Sequence, residues 1–174
     1  FAFTGGPDTI NEIFSLDDDT DPTLPNSKQF LVRPGTYDIV ESPVTNYEAS
    51  WVCTEDGSGW LSGTGGTIDD IIFAAGGTYV CTFTNELQFG YLTLEKTVIN
   101  DNGGTLVKGD FPVFIGTVEK EWDTKYPLLP GTYTVSETPQ TGYTASAWTG
   151  DCNPDGSITI EAGMEYTCSI TNDD

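Results

Sequence analysis

Short runs of alternating apolar and polar residues, separated by turn residues, cover the whole chain. Successive side chains of a β-strand point to opposite faces, so such runs predict strands with one buried face. In the second half of the chain the predicted strands are 91–99, 111–115, 118–122, 133–137, 143–148, 157–160 and 166–172. In the first half they are 1–5, 13–16, 27–32, 36–41, 47–53, 71–73 and 79–85, with a glycine-rich insertion at 56–67. Seven short strands at this spacing are typical of an antiparallel β-sandwich.

An internal repeat divides the chain. Residues 35–47 read GTYDIVESPVTNY and residues 131–143 read GTYTVSETPQTGY, 96 residues further on. A repeat of this length predicts two tandem domains, 1–88 and 89–174. The opening FAF matches FPVF at 111–114, so the first domain has no counterpart of residues 89–110. We therefore predict that the first sandwich lacks its own first strand.

Charge excludes one class of partner. The chain has 27 acidic residues, 6 basic residues and no histidine, which gives a formal net charge of −21. Binding to nucleic acid needs a basic surface that displaces counterions, so we expect no nucleic-acid partner. The acidic surface either keeps the protein soluble or has a specific role. There is no stretch of 18 apolar residues, so we predict no membrane insertion.

The cysteines fall two to a repeat. An even number without a CxxC spacing or a histidine indicates structural disulfides formed in an oxidising compartment. The repeat favours Cys53 with Cys81 and Cys152 with Cys168 over the other two connectivities. We expect a secreted protein that is extracellular or displayed at the cell surface.

Alternation places several polar residues on apolar faces. Lys96 shares a face with Leu92 and Leu94, and Glu137 shares one with Tyr133 and Val135. In the same way, inward positions are predicted for Asn172 in the second domain and for Glu41 and Asn85 in the first. A buried carboxylate without a partner costs several kcal/mol, so these side chains must be neutral, paired or functional.

The sequence resembles the collagen-adhesin B-type, or prealbumin-like (SpaA-like), domains of bacterial and archaeal surface and pilus proteins. The resemblance rests on LTLEKTV with NDNGGT, on LPGTYTVSETPQTGY, on CSITN, and in the first half on RPGTYDIVESPVTNY and CTFTN. It implies an all-β protein of two tandem immunoglobulin-like (prealbumin-like) sandwiches. It also implies that Lys96, Glu137 and Asn172 occupy the positions of a spontaneous isopeptide bond.

In that reaction a neutral Lys96 amine attacks the side-chain carbonyl carbon of Asn172, and Glu137 polarises the carbonyl and transfers protons while ammonia leaves. It happens once per molecule, so the chain is not an enzyme in the turnover sense. The alternative is a buried Lys96–Glu137 ion pair hydrogen-bonded to Asn172. In the first domain Glu41 and Asn85 form the core of a strand acceptor, but no lysine accompanies them, since Lys28 does not match Lys96.

A sandwich that lacks a strand exposes backbone and apolar surface, which predicts that a strand is supplied. Two sources remain open: polypeptide upstream of Phe1, or a neighbouring subunit. The second source would build a head-to-tail filament of copies of this chain.

A weaker motif, DCNPDG, offers Asp151, Asn153 and Asp155 at the spacing that begins a calcium loop. The twelfth position of that loop is Ala162 rather than Glu, so the alternative is a solvated turn. Calcium is the one cofactor that the sequence suggests.

These features bear on three functions. The first is a structural subunit of an extracellular filament, pilus or surface stalk, which the missing strand favours. The second is an adhesin that binds a glycan or a protein through the insertion at 56–67, which includes Trp60. The third, a glycosidase with two carboxylates, lacks any cleft-forming insertion or nucleophile motif.

Overall fold

The computed structural model describes residues 2–5, as backbone only, together with 13–17 and 22–174. The chain divides into two compact units, unit 1 from Phe1 to Leu87 and unit 2 from Gln88 to Asp174. Apart from one 3₁₀ turn, Lys108–Asp110, the regular structure of the described residues is β-strand. The prediction of an all-β fold is therefore confirmed.

Unit 1 contains two sheets. Its strands are β1 (Ala2–Gly5), β2 (Phe14–Ser15), β3 (Gly35–Glu41), β4 (Tyr47–Glu55), β5 (Ser58–Thr64), β6 (Thr67–Phe73) and β7 (Tyr79–Leu87). One sheet has the order β2-β1-β3-β6 and the other has the order β5-β4-β7. The core of the unit is formed by the buried residues Tyr37, Cys53, Ile68, Ile71 and Phe73.

Unit 2 contains one sheet of four strands and one of five. Its strands are β8 (Gly90–Ile99), β9 (Val113–Ile115), β10 (Val118–Lys120), β11 (Lys125–Leu128), β12 (Gly131–Glu137), β13 (Thr144–Ala145), β14 (Thr149–Gly150), β15 (Ser157–Ile160) and β16 (Glu165–Asp173). One sheet has the order β10-β9-β12-β15, and the other has the order β11-β8-β16-β13 with β14 also on β16. The core includes Leu92, Leu94, Val113, Val135, Ile158, Ile160 and Cys168.

The central strands β3 and β12 have equivalent neighbours in their sheets. In unit 1, β3 lies between β1 and β6, and Phe3 is in register with Glu41. In unit 2, β12 lies between β9 and β15, and Val113 is in register with Glu137. The match of the opening residues to the strand at 111–115 is thus reproduced in the backbone pairing.

One pairing differs from the predicted antiparallel arrangement. β8 and β16, the first and last strands of unit 2, run parallel, with Lys96 opposite Ile170 and Asn172 opposite Val98. Alternation identifies the buried face of a strand but carries no information about the direction of its neighbour. Sequence patterning alone therefore could not distinguish the two directions.

The predicted and the observed strand boundaries differ most where a segment needs a neighbouring strand in order to pair. Residues 27–32 are not a strand, although the counterpart β11 of unit 2 is one, because β11 pairs with the first strand β8. Of the predicted strand 143–148 only Thr144–Ala145 pairs. The glycine-rich insertion at 56–67, by contrast, forms β5 as a hairpin with β4.

The two disulfides are those predicted. Cys53–Cys81 joins the neighbouring strands β4 and β7, and Cys152–Cys168 joins the loop before β15 to β16. Each bridge fixes the last strand of its unit. Among the described residues, no helix has the length and apolar character needed to cross a membrane.

Candidate functional site

The centre of the candidate site in unit 2 is a buried lysine. β8 alternates between the two faces, and its inward side chains Leu92, Leu94 and Lys96 are 0 %, 0 % and 6 % exposed. The Lys96 amine contacts the Glu137 carboxylate as a buried ion pair, with the two side chains 0 % and 5 % exposed. The structure thus brings together two of the three residues that the sequence proposed for this site.

The surroundings of the Lys96 amine are aromatic. The nitrogen lies 4.4 Å from the ring centroid of Phe111 and 5.4 Å from that of Trp122, within the range of cation–π attraction. Burial lowers the pKa of Lys96, and the hydrogen bond and charge of Glu137 oppose this shift. The pocket therefore moves Lys96 toward the neutral amine, which is the nucleophilic form.

Asn172 lies on the same face of the sheet. It is 1 % exposed, and its Oδ1 has no hydrogen-bond partner; neither has the second carboxylate oxygen of Glu137, Oε1. Because Lys96 pairs with Ile170, Asn172 is its diagonal neighbour on the parallel strand β16, which a long side chain can reach. The geometry is that of a Lys–Glu ion pair beside a buried amide, and the isopeptide bond between Lys96 and Asn172 remains a prediction.

Among the described residues of unit 1, the equivalent carboxylate is buried and has no cation beside it. Glu41 is 3 % exposed, and its Oε1 accepts a hydrogen bond of 2.8 Å from Asn85 Nδ2. Its Oε2 is buried and has no hydrogen-bond partner. The Glu41 backbone is fixed by Gly66, whose carbonyl accepts from the Glu41 amide at 2.7 Å and where a Cβ would lie 2.7 Å from the Glu41 carbonyl oxygen.

Unit 1 has only two basic residues, Lys28 and Arg33. The Lys28 amine lies 5.1 Å and 5.3 Å from the ring centroids of Phe14 and Phe30. The Arg33 carbonyl accepts a hydrogen bond from the Tyr37 hydroxyl. Within the described part of the chain, neither cation forms an ion pair with Glu41.

The strand pairing of the last strand differs between the two units. In unit 2 the last strand β16 is flanked by β8 on one side and by β13 and β14 on the other. Over residues 2–5, 13–17 and 22–174, β7 pairs with β4 alone. The position that β8 occupies in unit 2 is thus the one for which unit 1 shows no strand.

The core behind β7 is correspondingly less covered. Tyr79, Cys81 and Phe83 of β7 are half-buried, whereas the unit 2 counterparts Cys168 and Ile170 are 0 % and 4 % exposed. Leu31, in the segment that forms no strand, is 100 % exposed. Over the described residues, the side chains on the core-facing side of β7 are therefore less buried than those of β16.

The proposed calcium loop is held by its own hydrogen bonds. Asp151 Oδ2 accepts from the Thr167 amide at 2.7 Å, and Asp155 Oδ1 accepts from the amide and hydroxyl of Ser157 at 2.9 Å and 2.7 Å. Asn153 Nδ2 donates to the Ser157 hydroxyl at 2.9 Å. The bonds from Ser157 lower the pKa of Asp155. Each residue thus has a structural role in the turn, and calcium binding here remains a prediction.

One feature was not identified from the sequence. The carboxylates of Asp101, Asp173 and Asp174 lie within 4.8 Å of one another, because the register of β16 with β8 brings the end of the last strand to the turn after Ile99. Asp174 accepts hydrogen bonds from the backbone amides of Asn102 and Gly104, which lower its pKa. Only the strand register, which patterning does not reveal, could have indicated this cluster.

The insertion at 56–67, which the sequence suggested as a binding segment, contributes β5. There it forms a shallow, open depression lined by Val52, Gly59, Trp60, Leu61 and Ser62.

Comparison with known proteins finds a similarity in unit 2. Residues 88–170 match the SpaA-type model described as a prealbumin-like fold domain. No curated protein and no solved structure matches the chain. The matched residues contain β8, β12 and most of β16, and therefore Lys96 and Glu137.

Proposed function

We propose that this chain is a structural subunit of an extracellular filament, pilus or surface stalk, because residues 88–170 match the model of a SpaA-type prealbumin-like fold domain. The two disulfides fit an oxidising extracellular environment. The acidic surface keeps neighbouring molecules apart unless a specific contact joins them.

The observation that carries the proposal is the difference in strand pairing between the two last strands: β16 lies between β8 on one side and β13 and β14 on the other, whereas over residues 2–5, 13–17 and 22–174 β7 is paired with β4. A sheet edge over half-buried apolar side chains is a template for another strand. We infer that unit 1 accepts a strand from outside this chain, in the position that β8 takes in unit 2. A contact of this kind between different surfaces does not close on itself, so it propagates head to tail.

The strand has two candidate sources, a neighbouring subunit and polypeptide that precedes Phe1 in the same protein. Only the first gives a filament held by strand exchange, and the second gives a stalk of independently complete sandwiches. Electron microscopy of the native surface structure distinguishes them. Fibres with a repeat of one subunit and a strand that crosses between subunits support the filament. Isolated subunits, each with a complete unit 1, would contradict it.

A second function is favoured by the depression on β5. Trp60 and Leu61 are each 40 % exposed and Val52 is 49 % exposed, so apolar side chains line an open surface, as in an adhesin that binds a glycan or a protein. Because β5 is a paired strand, the sharper test is Trp60→Ala rather than deletion of 56–67. Saturable binding to a glycan or protein that Trp60→Ala removes would support the adhesin. An unchanged glycan and protein binding profile would exclude the depression as its site.

A further inference from the structure

We propose that Asn102 is a site of spontaneous deamidation, and that the carboxylate formed there weakens the contact between the turn after β8 and the end of β16. The modification is independent of the proposed function, because it concerns unit 2 alone. Three observations carry it: the residue that follows Asn102, the exposure of the turn, and the hydrogen bonds of the Asn102 side chain.

The residue after Asn102 favours the reaction. In deamidation the backbone nitrogen of the following residue attacks the side-chain carbonyl carbon of asparagine. A following glycine has no Cβ to hinder this approach. Asn102–Gly103 is the one place in the sequence where glycine follows asparagine. The sequence therefore distinguishes Asn102 from every other asparagine of the chain.

The turn leaves the attacking nitrogen accessible. Asp101, Asn102 and Gly103 are exposed, and Gly103 has a φ of 107°, which favours glycine. The amides of Asn102 and Gly104 both donate to the Asp174 carboxylate. Among the described hydrogen bonds, the Gly103 amide between them donates none. The nitrogen that must attack is thus not held by another acceptor.

The reaction needs water and no other co-reactant. The Gly103 nitrogen loses its proton and bonds to Asn102 Cγ, and the Cγ–Nδ2 bond breaks to release ammonia. Water then opens the five-membered succinimide ring. Opening at Cγ gives aspartate, and opening at the backbone carbonyl carbon gives isoaspartate. In total one water is consumed and one ammonia is released, and either product has one more negative charge.

Carboxylates beside Asn102 make the reaction sensitive to salt. Asp174 Oδ1 accepts from the Asn102 backbone amide at 3.1 Å, and Asp101 Oδ1 accepts from the Asn102 side chain at 2.7 Å. Attack requires negative charge to develop on the Gly103 nitrogen, and these carboxylates oppose it. Salt screens exposed charges. The rate of deamidation should therefore rise with ionic strength.

The product changes a contact between two strands. Asn102 Nδ2 donates to Asp101 Oδ1 at 2.7 Å and to the Asp174 carbonyl at 3.1 Å. An ionised carboxylate only accepts, so both bonds are lost. The new charge also becomes a fourth carboxylate beside the cluster of Asp101, Asp173 and Asp174. Deamidation thus loosens the turn where the pairing of β8 with β16 ends, at Ile99 opposite Asp173.

The site is tested by incubating the 174-residue chain at several pH values and two salt concentrations, followed by peptide mapping with mass spectrometry. We expect aspartate and isoaspartate at Asn102 well before any other asparagine, at a rate that rises about tenfold per pH unit because the attacking nitrogen must be deprotonated. High salt should raise the rate at least about twofold. Gly103→Ala should slow it about tenfold.

Because alanine is strained at a positive φ, Asn102→Gln is a second control, whose longer side chain closes the ring less readily. Conversion at Asn102 no faster than at the other asparagines would overturn the modification. A rate that does not change with salt would overturn the role given to the carboxylates.

The structural consequence is tested on Asn102→Asp by amide exchange at Gly104, whose amide donates to Asp174. Protection should fall roughly fivefold at low salt, and by less in Asn102→Ala, which loses the same two bonds without adding charge. Added salt should narrow the difference between the two variants. Unchanged protection in Asn102→Asp would overturn the weakened contact.

Discussion

Unit 2 buries a lysine against its inward glutamate, whereas among the described residues of unit 1 the corresponding glutamate is buried beside an asparagine and no cation. The two units share the segment that ends in Glu41 and Glu137 and the last strand that ends in Asn85 and Asn172. They differ in the first strand, which unit 2 has as β8. A single strand thus provides three things at once: backbone partners for the last strand, cover for the core, and the cation for the carboxylate.

The difference in the first strand also explains why a segment that is a strand in unit 2 is not one in unit 1. β11 forms in unit 2 because β8 offers it a partner, with Lys125 opposite Thr93 and Leu128 opposite Gly90. The related segment of unit 1 keeps Phe30 and Val32 against the core but has no strand pairing. Over the described residues, the segments of unit 1 that correspond to β11 and β16 therefore show no pairing with an equivalent of β8.

The largest expected effect comes from breaking the ion pair of unit 2. Lys96→Ala leaves Glu137 buried and unpaired, and should lower the free energy of unfolding of unit 2 by about 3–5 kcal/mol. Amide exchange at increasing urea concentration reports the two units separately. Lys108→Ala is the matched control, because its pair with Asp123 is exposed and should contribute no more than about 1 kcal/mol. A loss at Lys96 no larger than at Lys108 would contradict this account of the pair.

The second-largest expected loss of stability comes from removing a disulfide. Replacing both cysteines of either bridge by serine should cost about 3 kcal/mol, because the unfolded chain regains loop entropy. The sequence separations are 28 for Cys53–Cys81 and 16 for Cys152–Cys168. The chain-entropy model then predicts a cost roughly 0.5 kcal/mol greater in unit 1. Denaturant unfolding of the two double variants checks the order, and a greater cost in unit 2 would show that native-state contacts outweigh loop length.

A smaller effect is expected from Glu41→Gln. Glu41 has no cation to lose in the described structure, and glutamine keeps an acceptor for Asn85. The stability of unit 1 should change by less than about 1 kcal/mol, or increase, since a buried charge is removed. Glu137→Gln in unit 2 is the comparison and should cost more, because Lys96 loses its partner. Equal losses in the two units would mean that Glu41 already has a cation.

The smallest signal is a change of mass. Formation of the bond from Lys96 Nζ to Asn172 Cγ breaks the Cγ–Nδ2 bond and releases one ammonia, so the intact mass falls by one ammonia. Lys96→Ala should abolish this deficit, and unit 1 should show none because it has no equivalent lysine. A wild-type mass without the deficit would leave the ion pair as the final state of the site.

Much of the site could be predicted from alternation. The inward positions of Lys96, Glu137 and Asn172 follow from the apolar residues two places away on each strand, and all three are buried as expected. The disulfide pairing followed from the repeat. These features depend on local patterns that the fold does not override.

What could not be predicted depends on pairing between distant strands. The parallel direction of β8 and β16, the strand β11, and the cluster of Asp101, Asp173 and Asp174 all result from register. The wrong strand at 27–32 has the same origin, because a suitable pattern forms a strand only when a partner edge is present.

The most direct test of the account is a cryo-electron microscopy structure of the native assembly. We predict that a strand contributed from outside residues 1–87 takes, in unit 1, the position that β8 takes in unit 2. A unit 1 whose β7 edge stays bare, or is covered by residues 1–87 themselves, would contradict it.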